Sequence, residues 1–298
     1  MTRVFVVGNA TVDVTMNVAA FPAAGETVLS ESARRGPGGK GLNQAVAARR
    51  TGADVVFAAP IGDDEAGGLL RAFAAREAGL ETRWIASGQP TDLSVIWVSG
   101  DGENMIVSSA DSARAPSPER VPALLHGIGS GDMLLDQGNL SETVTLAACD
   151  LAREAGARVM LNPAPMAWDM HGILPMADVL ICNLPEALAI TGASGQAAAR
   201  LLAETTGGTV ILTLGAAGAL LVSGGRLTAI PAAFTKAVDT SGAGDTVAGV
   251  TAAALTLGHS AADALRLGMW AAAVTVTRPG TVSAFPSADE MHRIFETA

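Results

Sequence analysis

The sequence predicts a three-layer α/β/α fold with a mainly parallel central sheet and a small β-sheet lid, and three observations carry that prediction. Short apolar runs rich in β-branched residues recur at 3–8 (RVFVVG), 53–60, 131–136, 157–162, 177–183 and 208–215. Most follow an Ala-rich helical stretch, which is the alternation of βαβ units. The composition agrees: 49% of residues are hydrophobic and only 16% charged, a balance that excludes disorder and suits strands covered by helices on both faces.

Taken in order, RVFVVG closes on Gly8 and reads as the first buried strand. Segments 12–18, 27–32, 93–99 and 104–109 are short and β-rich, and GDGEN at 100–104 is a hairpin signal between the last two. They do not suit a parallel core and are assigned to the lid, formed by inserted segments of about 10–36 and 91–110. Placed at the carboxyl end of the first strand, the lid would cover the crevice where open α/β sheets bind ligands. The 298 residues are expected to form one domain, 1–298. The apolar stretch 246–262, which contains His259, reads as buried helix rather than membrane span.

Nineteen basic residues against twenty-nine acidic ones give a net charge of −10, which repels a polyphosphate backbone and argues against a nucleic-acid partner. Cys149 and Cys182 lie far apart and outside any CxxC pattern, so no zinc site or disulfide framework is indicated, and a reducing cytoplasm is the simplest setting. The N-terminal apolar run is too short for a signal-peptide core.

Two stretches carry candidate chemistry. In GPGGKGLNQAVAARR (36–50), glycines run straight into a helix with Asn43 and Gln44 in its opening turns, and Lys40, one of two lysines in the chain, sits among the glycines. Gly36, Gly38 and Gly41 satisfy G-x-G-x-x-G, but a dinucleotide site needs a strand leading into the first glycine, whereas SESARR precedes it and Pro37 interrupts it. The phosphate loop GxxxxGK[ST] fails because glycine follows Lys40. In AVDTSGAGDTVAG (237–249), the N–H groups of Gly242, Ala243 and Gly244 would converge at a helix start and form an anion hole. Asp245 beside that hole could take a proton from an attacking hydroxyl, as phosphoryl transfer requires. The plainer alternatives are a flexible glycine loop and a first-turn Asp favoured by the helix dipole.

The two stretches together resemble the ribokinase-like (PfkB) family of carbohydrate kinases, and the ribokinase pattern within it most closely. The resemblance extends in order through Gly8 to Asp13, FPAAGET (21–27), PGGKGLNQA (37–45), GDD (62–64), GENMI (102–106), LNPAP (161–165), Asn183 with Glu186, TLGAAG (213–218), DTSGAGD (239–245) and VTRPG (276–280). It implies an ATP-dependent kinase of a small sugar, ribose or a related pentose, with Asp245 as general base and the 242–244 amides as anion hole. It implies sugar contacts at Thr11, Asp13, Gly39, Lys40, Asn43 and Asn139, and nucleotide contacts at Asn183, Thr213, Gly215 and Gly218. Glu186 would act indirectly on Mg2+, and Asp239 with Ser241 would belong to a monovalent-cation site, usually K+. Pairing into a homodimer through the lid is also implied. Thr11 stands where the ribokinase pattern has an asparagine, Asn139 where it has a glutamate, and Ala217 where it has a basic residue. The departures at Thr11 and Asn139 keep a nucleoside or a sugar acid of the 2-keto-3-deoxygluconate type open as substrate, the one at Ala217 leaves nucleotide preference open, and a non-catalytic sugar or nucleotide sensor is the reading of another class.

Overall fold

The computed structural model describes residues 2–100 and 103–297. The first strand, β1 (Arg3–Val7), lies in a large sheet, and the chain then leaves it for β2 (Thr11–Asn17) and β3 (Ser32–Gly38) before α1 (Lys40–Arg50). It returns as β4 (Asp54–Ile61), followed by α2 (Glu65–Ala74) and β5 (Leu80–Ala86), and leaves again for β6 (Leu93–Val98) and β7 (Asn104–Ser108). Two short helices, α3 (Asp111–Arg114) and α4 (Val121–Leu124), lead to β8 (Met133–Gln137), α5 (Glu142–Glu154), β9 (Arg158–Asn162) and β10 (Val179–Asn183). Then follow α6 (Leu184–Thr191), α7 (Gly195–Thr206), β11 (Thr209–Thr213), the hairpin β12 (Ala219–Ser223) and β13 (Arg226–Ile230), α8 (Ala243–Thr256), α9 (Ala261–Thr275) and α10 (Ala288–Glu296).

Nine strands form the central sheet in the order β13-β12-β11-β10-β9-β8-β1-β4-β5. Pairings from β11 to β5 are parallel, and β12 and β13 add antiparallel at one edge. Strand alternation divides β1 between two cores. Val4 and Val6 pack on the side covered by α1, α8 and α9, whereas Phe5 and Val7 pack on the side covered by α5 and α7. Burial on both faces explains why these strands read as continuous apolar runs.

The four-stranded lid has the order β3-β2-β6-β7, with β2 and β6 parallel and the outer pairings antiparallel. One sequence expectation shifts here: the lid strand expected at 27–32 lies at Ser32–Gly38 and takes in the first three residues of the glycine stretch. SARRGPG has little strand propensity, yet it occupies a sheet edge, where proline is tolerated, and its register with β2 runs from Thr11↔Gly38 to Asn17↔Ser32. Pairing outweighs propensity at that edge. The hairpin turn expected at 100–104 includes residues 101 and 102, which lie outside the described residues. The apolar stretch 246–262 is divided between α8 and α9 at Gly258 (φ 93), and no described helix is long and apolar enough to cross a membrane.

Candidate active site

Residues 8–10 carry the chain from the central sheet into the lid, and Gly39, just before α1, packs against that crossing. Gly39 has φ 94, and a Cβ there would stand 2.9 Å from both Ala10 Cα and Thr11 N. At Gly38 a Cβ would collide with the Asp13 carboxyl group, so Asp13 lies flat on the glycine across the β2–β3 pairing. Thr11 Oγ1 donates to Asp13 Oδ1 at 2.7 Å. Burial raises the Asp13 carboxyl to about 6, opposed by the Thr11 and Ser94 hydroxyls and reinforced by the negative charge of Asp245.

Asp245 stands in the first turn of α8, which begins after Gly242 (φ 75), and is 6% exposed. Among the described residues, every side-chain donor on its carboxylate comes from the first turns of α1. Asn43 Nδ2 donates to Oδ2 at 2.9 Å, and Gln44 Nε2 (3.1 Å) and Lys40 Nζ (3.3 Å) donate to Oδ1. Gln44 Nε2 also reaches Asn162 Oδ1 at 3.1 Å, Asn162 Nδ2 donates to the Ile181 carbonyl, and Gln137 Nε2 donates to Gln44 Oε1 at 2.9 Å. The ends of β8 and β9 therefore fix the side chain that orients Asp245. Asn43 Oδ1 is buried without a hydrogen-bond partner among the described residues, an acceptor beside Asp245 suited to a ligand hydroxyl.

Ala243 and Gly244, which precede Asp245, line a cavity of about 530 Å³. Thr213, Gly215 and Gly218 form another part of its wall, with Phe234 and Met269 as its large apolar residues. No charged side chain among the described residues lines it. An apolar slot opening onto the amino end of a helix fits a flat heterocycle with an anionic tail.

Asn183 and Glu186 form the capping box of α6: Asn183 Oδ1 accepts from the Glu186 N–H, and the Glu186 carboxylate accepts from both Asn183 N and Nδ2, each at 2.9 Å. Asn183 does not line the cavity but is paired in register with Thr213 of β11. Burial raises the Glu186 carboxyl above its usual range, against the Asn183 N–H and the positive charge of Lys40. Asp239 accepts from the backbone N–H groups of Ser241 and Gly280, both at 2.8 Å, and so ties the α8 approach to the turn after α9. Asn139 lies just beyond β8 with its Oδ1 buried and unpartnered among the described residues.

The structure thus gathers Asp13, Gly39, Lys40, Asn43 and Asp245 at the carboxyl ends of β1, β8 and β9, with Gly242, Ala243 and Gly244 leading to the cavity. Gln44, Asn162, Gln137, Ser94 and Gly38 belong to the same assembly and were not singled out as site residues from sequence. A polar residue ending an apolar strand run, as Gln137 and Asn162 do, is the signal that could have identified two of them.

A family model described as pfkB family carbohydrate kinase matches residues 1–288. The chain is 33% identical over 301 residues to the ribokinase of Haemophilus influenzae, covering 98% of each protein, and 31% identical over 299 residues to mouse ribokinase, covering 95% of this chain and 91% of the relative. Among solved structures, ribokinase from Giardia lamblia superposes with a TM-score of 0.89 at 27% identity, covering 98% of this chain and 99% of that one. Ribokinase from Cryptococcus neoformans in complex with ADP gives 0.81 at 27% identity over 100% of both chains. With the fold, the helix-start carboxylate and the whole-length match in agreement, the chain belongs to the pfkB family of carbohydrate kinases.

Proposed function

We propose that the protein transfers the γ-phosphoryl group of ATP to a hydroxyl of ribose or a closely related pentose. The observation that carries this reading is the meeting of Asp245 with the glycine–lysine turn of α1, one residue from the helix amides that open onto the 530 Å³ cavity. The sugar lies between Asp13, Asn43 and Lys40, with Gly39 and Asn139 beside it. Asp13 and Asp245 accept its hydroxyl hydrogens, and Asn43 Oδ1 accepts a third. The nucleotide occupies the cavity along Thr213, Gly215 and Gly218, with Asn183 at the adjoining strand end, and its transferring phosphate faces the N–H groups of Gly242, Ala243 and Gly244. Asp245 takes the proton of the attacking hydroxyl, while the amides stabilise charge on the phosphoryl oxygens. Relatives named ribokinase, and one solved in complex with ADP, support the assignment of substrate and donor.

The residues present also fit two cations. Among the described residues no three His, Cys, Asp or Glu side chains converge, and both Glu186 oxygens are held by Asn183, so Glu186 suits a hydrated Mg2+ arriving with ATP rather than an all-protein cage. Asp239 oxygens each carry one N–H and keep further acceptor capacity, which with loop carbonyls near Ser241 suits a hard monovalent ion such as K+. When bound, these ions would offset phosphate charge and stiffen the loop before α8. The reading further includes a homodimer through the lid, supported by the exposed Met105, Ile106 and Val107 on edge strand β7. A monomeric mass by light scattering would remove that part of it.

The test of the assignment is an ADP-release screen across pentoses, hexoses, sugar acids and nucleosides with magnesium and ATP. Turnover is expected first with ribose; preference for a nucleoside or sugar acid would reassign the substrate, and ligand binding without turnover would favour the sensor. A finer check is Gly38→Ala. The added methyl displaces the Asp13 carboxylate, and KM for the sugar is expected to rise by ten-fold or more, about 1.4 kcal/mol or above, with KM for ATP unchanged. Equal KM values in variant and parent would remove Asp13 from the sugar site.

A further inference from the structure

We propose that Thr11, Ser94 and Ser108 form a one-way chain of hydroxyl donors across three lid strands that aims the Asp13 carboxylate at the sugar, so that Thr11 acts as a positioning residue. Ser108 Oγ on β7 donates to Ser94 Oγ on β6 at 2.9 Å. Ser94 Oγ in turn donates to Thr11 Oγ1 on β2 at 3.4 Å, and Thr11 Oγ1 donates to Asp13 Oδ1 at 2.7 Å.

The direction of the chain follows from its end. An ionised carboxylate can only accept, so the Thr11 hydroxyl must donate to it, which turns the Thr11 oxygen into an acceptor for Ser94 and the Ser94 oxygen into an acceptor for Ser108. Each bond polarises the next, and the last is charge-assisted. Thr11 and Ser94 are 1% and 7% exposed, so water does not readily replace either link. Gly38 closes the other side of the carboxylate. With Oδ1 engaged by Thr11 and the carboxyl plane fixed against Gly38, Oδ2 is the oxygen left to receive a sugar hydroxyl. Thr11, buried and directed at Asp13, supports a contact rather than making one.

The chain also bears on protonation. Burial raises the Asp13 carboxyl to about 6, and the Thr11 hydroxyl, with Ser94 behind it, works against that rise because a donor favours the ionised form. The charged groups facing Asp13 are Asp245 of α8 and, beside it, Lys40 of α1; the residues facing it from β3 and β6, Gly36 and Ser94, carry no charge. Loss of the donors therefore moves the protonation of Asp13 to higher pH.

The inference rests on the reading of Asp13 as a sugar ligand, and the experiment separates the two. KM for ribose, KM for ATP and kcat are measured from pH 5 to 8 for Thr11→Val, Thr11→Ser, Ser94→Ala, Asp13→Asn and the parent protein, with melting temperatures to verify folding. Thr11→Val, of the same shape without the hydroxyl, is expected to raise ribose KM several-fold, leave ATP KM unchanged and move the acid limb of kcat/KM for ribose to higher pH. Ser94→Ala is expected to do the same to a smaller degree, and Thr11→Ser to restore parental values. If Asp13→Asn raises ribose KM while Thr11→Val leaves both KM and the acid limb in place, the donor chain is overturned and the sugar site stands. If Asp13→Asn itself leaves ribose KM unchanged, the sugar-site reading fails and the inference with it.

Discussion

Asp245→Asn is expected to retain the fold and lose turnover by about 10²–10⁴-fold, the range over which a positioned acid or base contributes. On the proposed mechanism the loss should fall on kcat, because the substitution keeps the side chain's shape and its contact with Asn43 while removing the lone pair assigned to the hydroxyl proton. The introduced amide also meets Gln44 Nε2 and Lys40 Nζ, two donors that it cannot satisfy as a carboxylate does, so a modest fall in melting temperature should accompany the change. Calorimetric titration with ribose and with ATP separates the effects: binding near the parental level together with lost turnover identifies the base. Parental turnover in the variant would exclude it.

Asp136→Leu is expected to stabilise the protein. Asp136 sits on β8 one residue before Gln137 but faces the opposite side of the sheet, toward α5, at 0% exposure and with neither carboxyl oxygen hydrogen-bonded among the described residues. Burial raises its carboxyl well above the usual range, and the nearby Gln137 backbone N–H only partly opposes that rise. The native chain then holds this proton to a higher pH than the unfolded chain, whose Asp releases it near ~3.9. Stability from this group is complete below that value and declines as pH rises toward the folded value. Leucine removes the unpaired polar group and keeps the branched four-atom outline of the side chain with bulkier ends, a net change of about 1–3 kcal/mol in favour of folding and several degrees in melting temperature at pH 7 where the site takes up the larger methyl groups. Melts between pH 4 and 8 check this: the gap between variant and parent should widen with pH. A variant that melts below the parent across this range would contradict the expectation, either because leucine overpacks the site or because it expels a buried water that partners Asp136.

The central sheet was legible because parallel strands buried on both faces keep their apolar character at every position, as RVFVVG of β1 shows. Edge strands lack that signature. β5 (LETRWIA) and β13 (RLTAI) are only partly buried, and β3 joins the lid through pairing that SARRGPG does not advertise. The glycine and carboxylate motifs of the site were legible because close approach to Ala10 and Asp13 requires glycine at 39 and 38, and a helix start favours an anion. The amides that orient Asp245 were not, since Gln44, Gln137 and Asn162 lie on three separate elements and acquire meaning only where their side chains converge. Asp136 was hidden for a related reason: on a strand end, a charged residue reads as a surface position until its face of the sheet is seen to be covered by α5.

The measurement that bears most directly on the whole account is ribose-dependent ADP release by the parent protein at saturating ATP with magnesium, with the sugar product identified by phosphorus NMR. One ribose phosphate per ADP is the expected result. No sugar-dependent ADP release with any pentose, from protein that binds ATP and is folded, would contradict it.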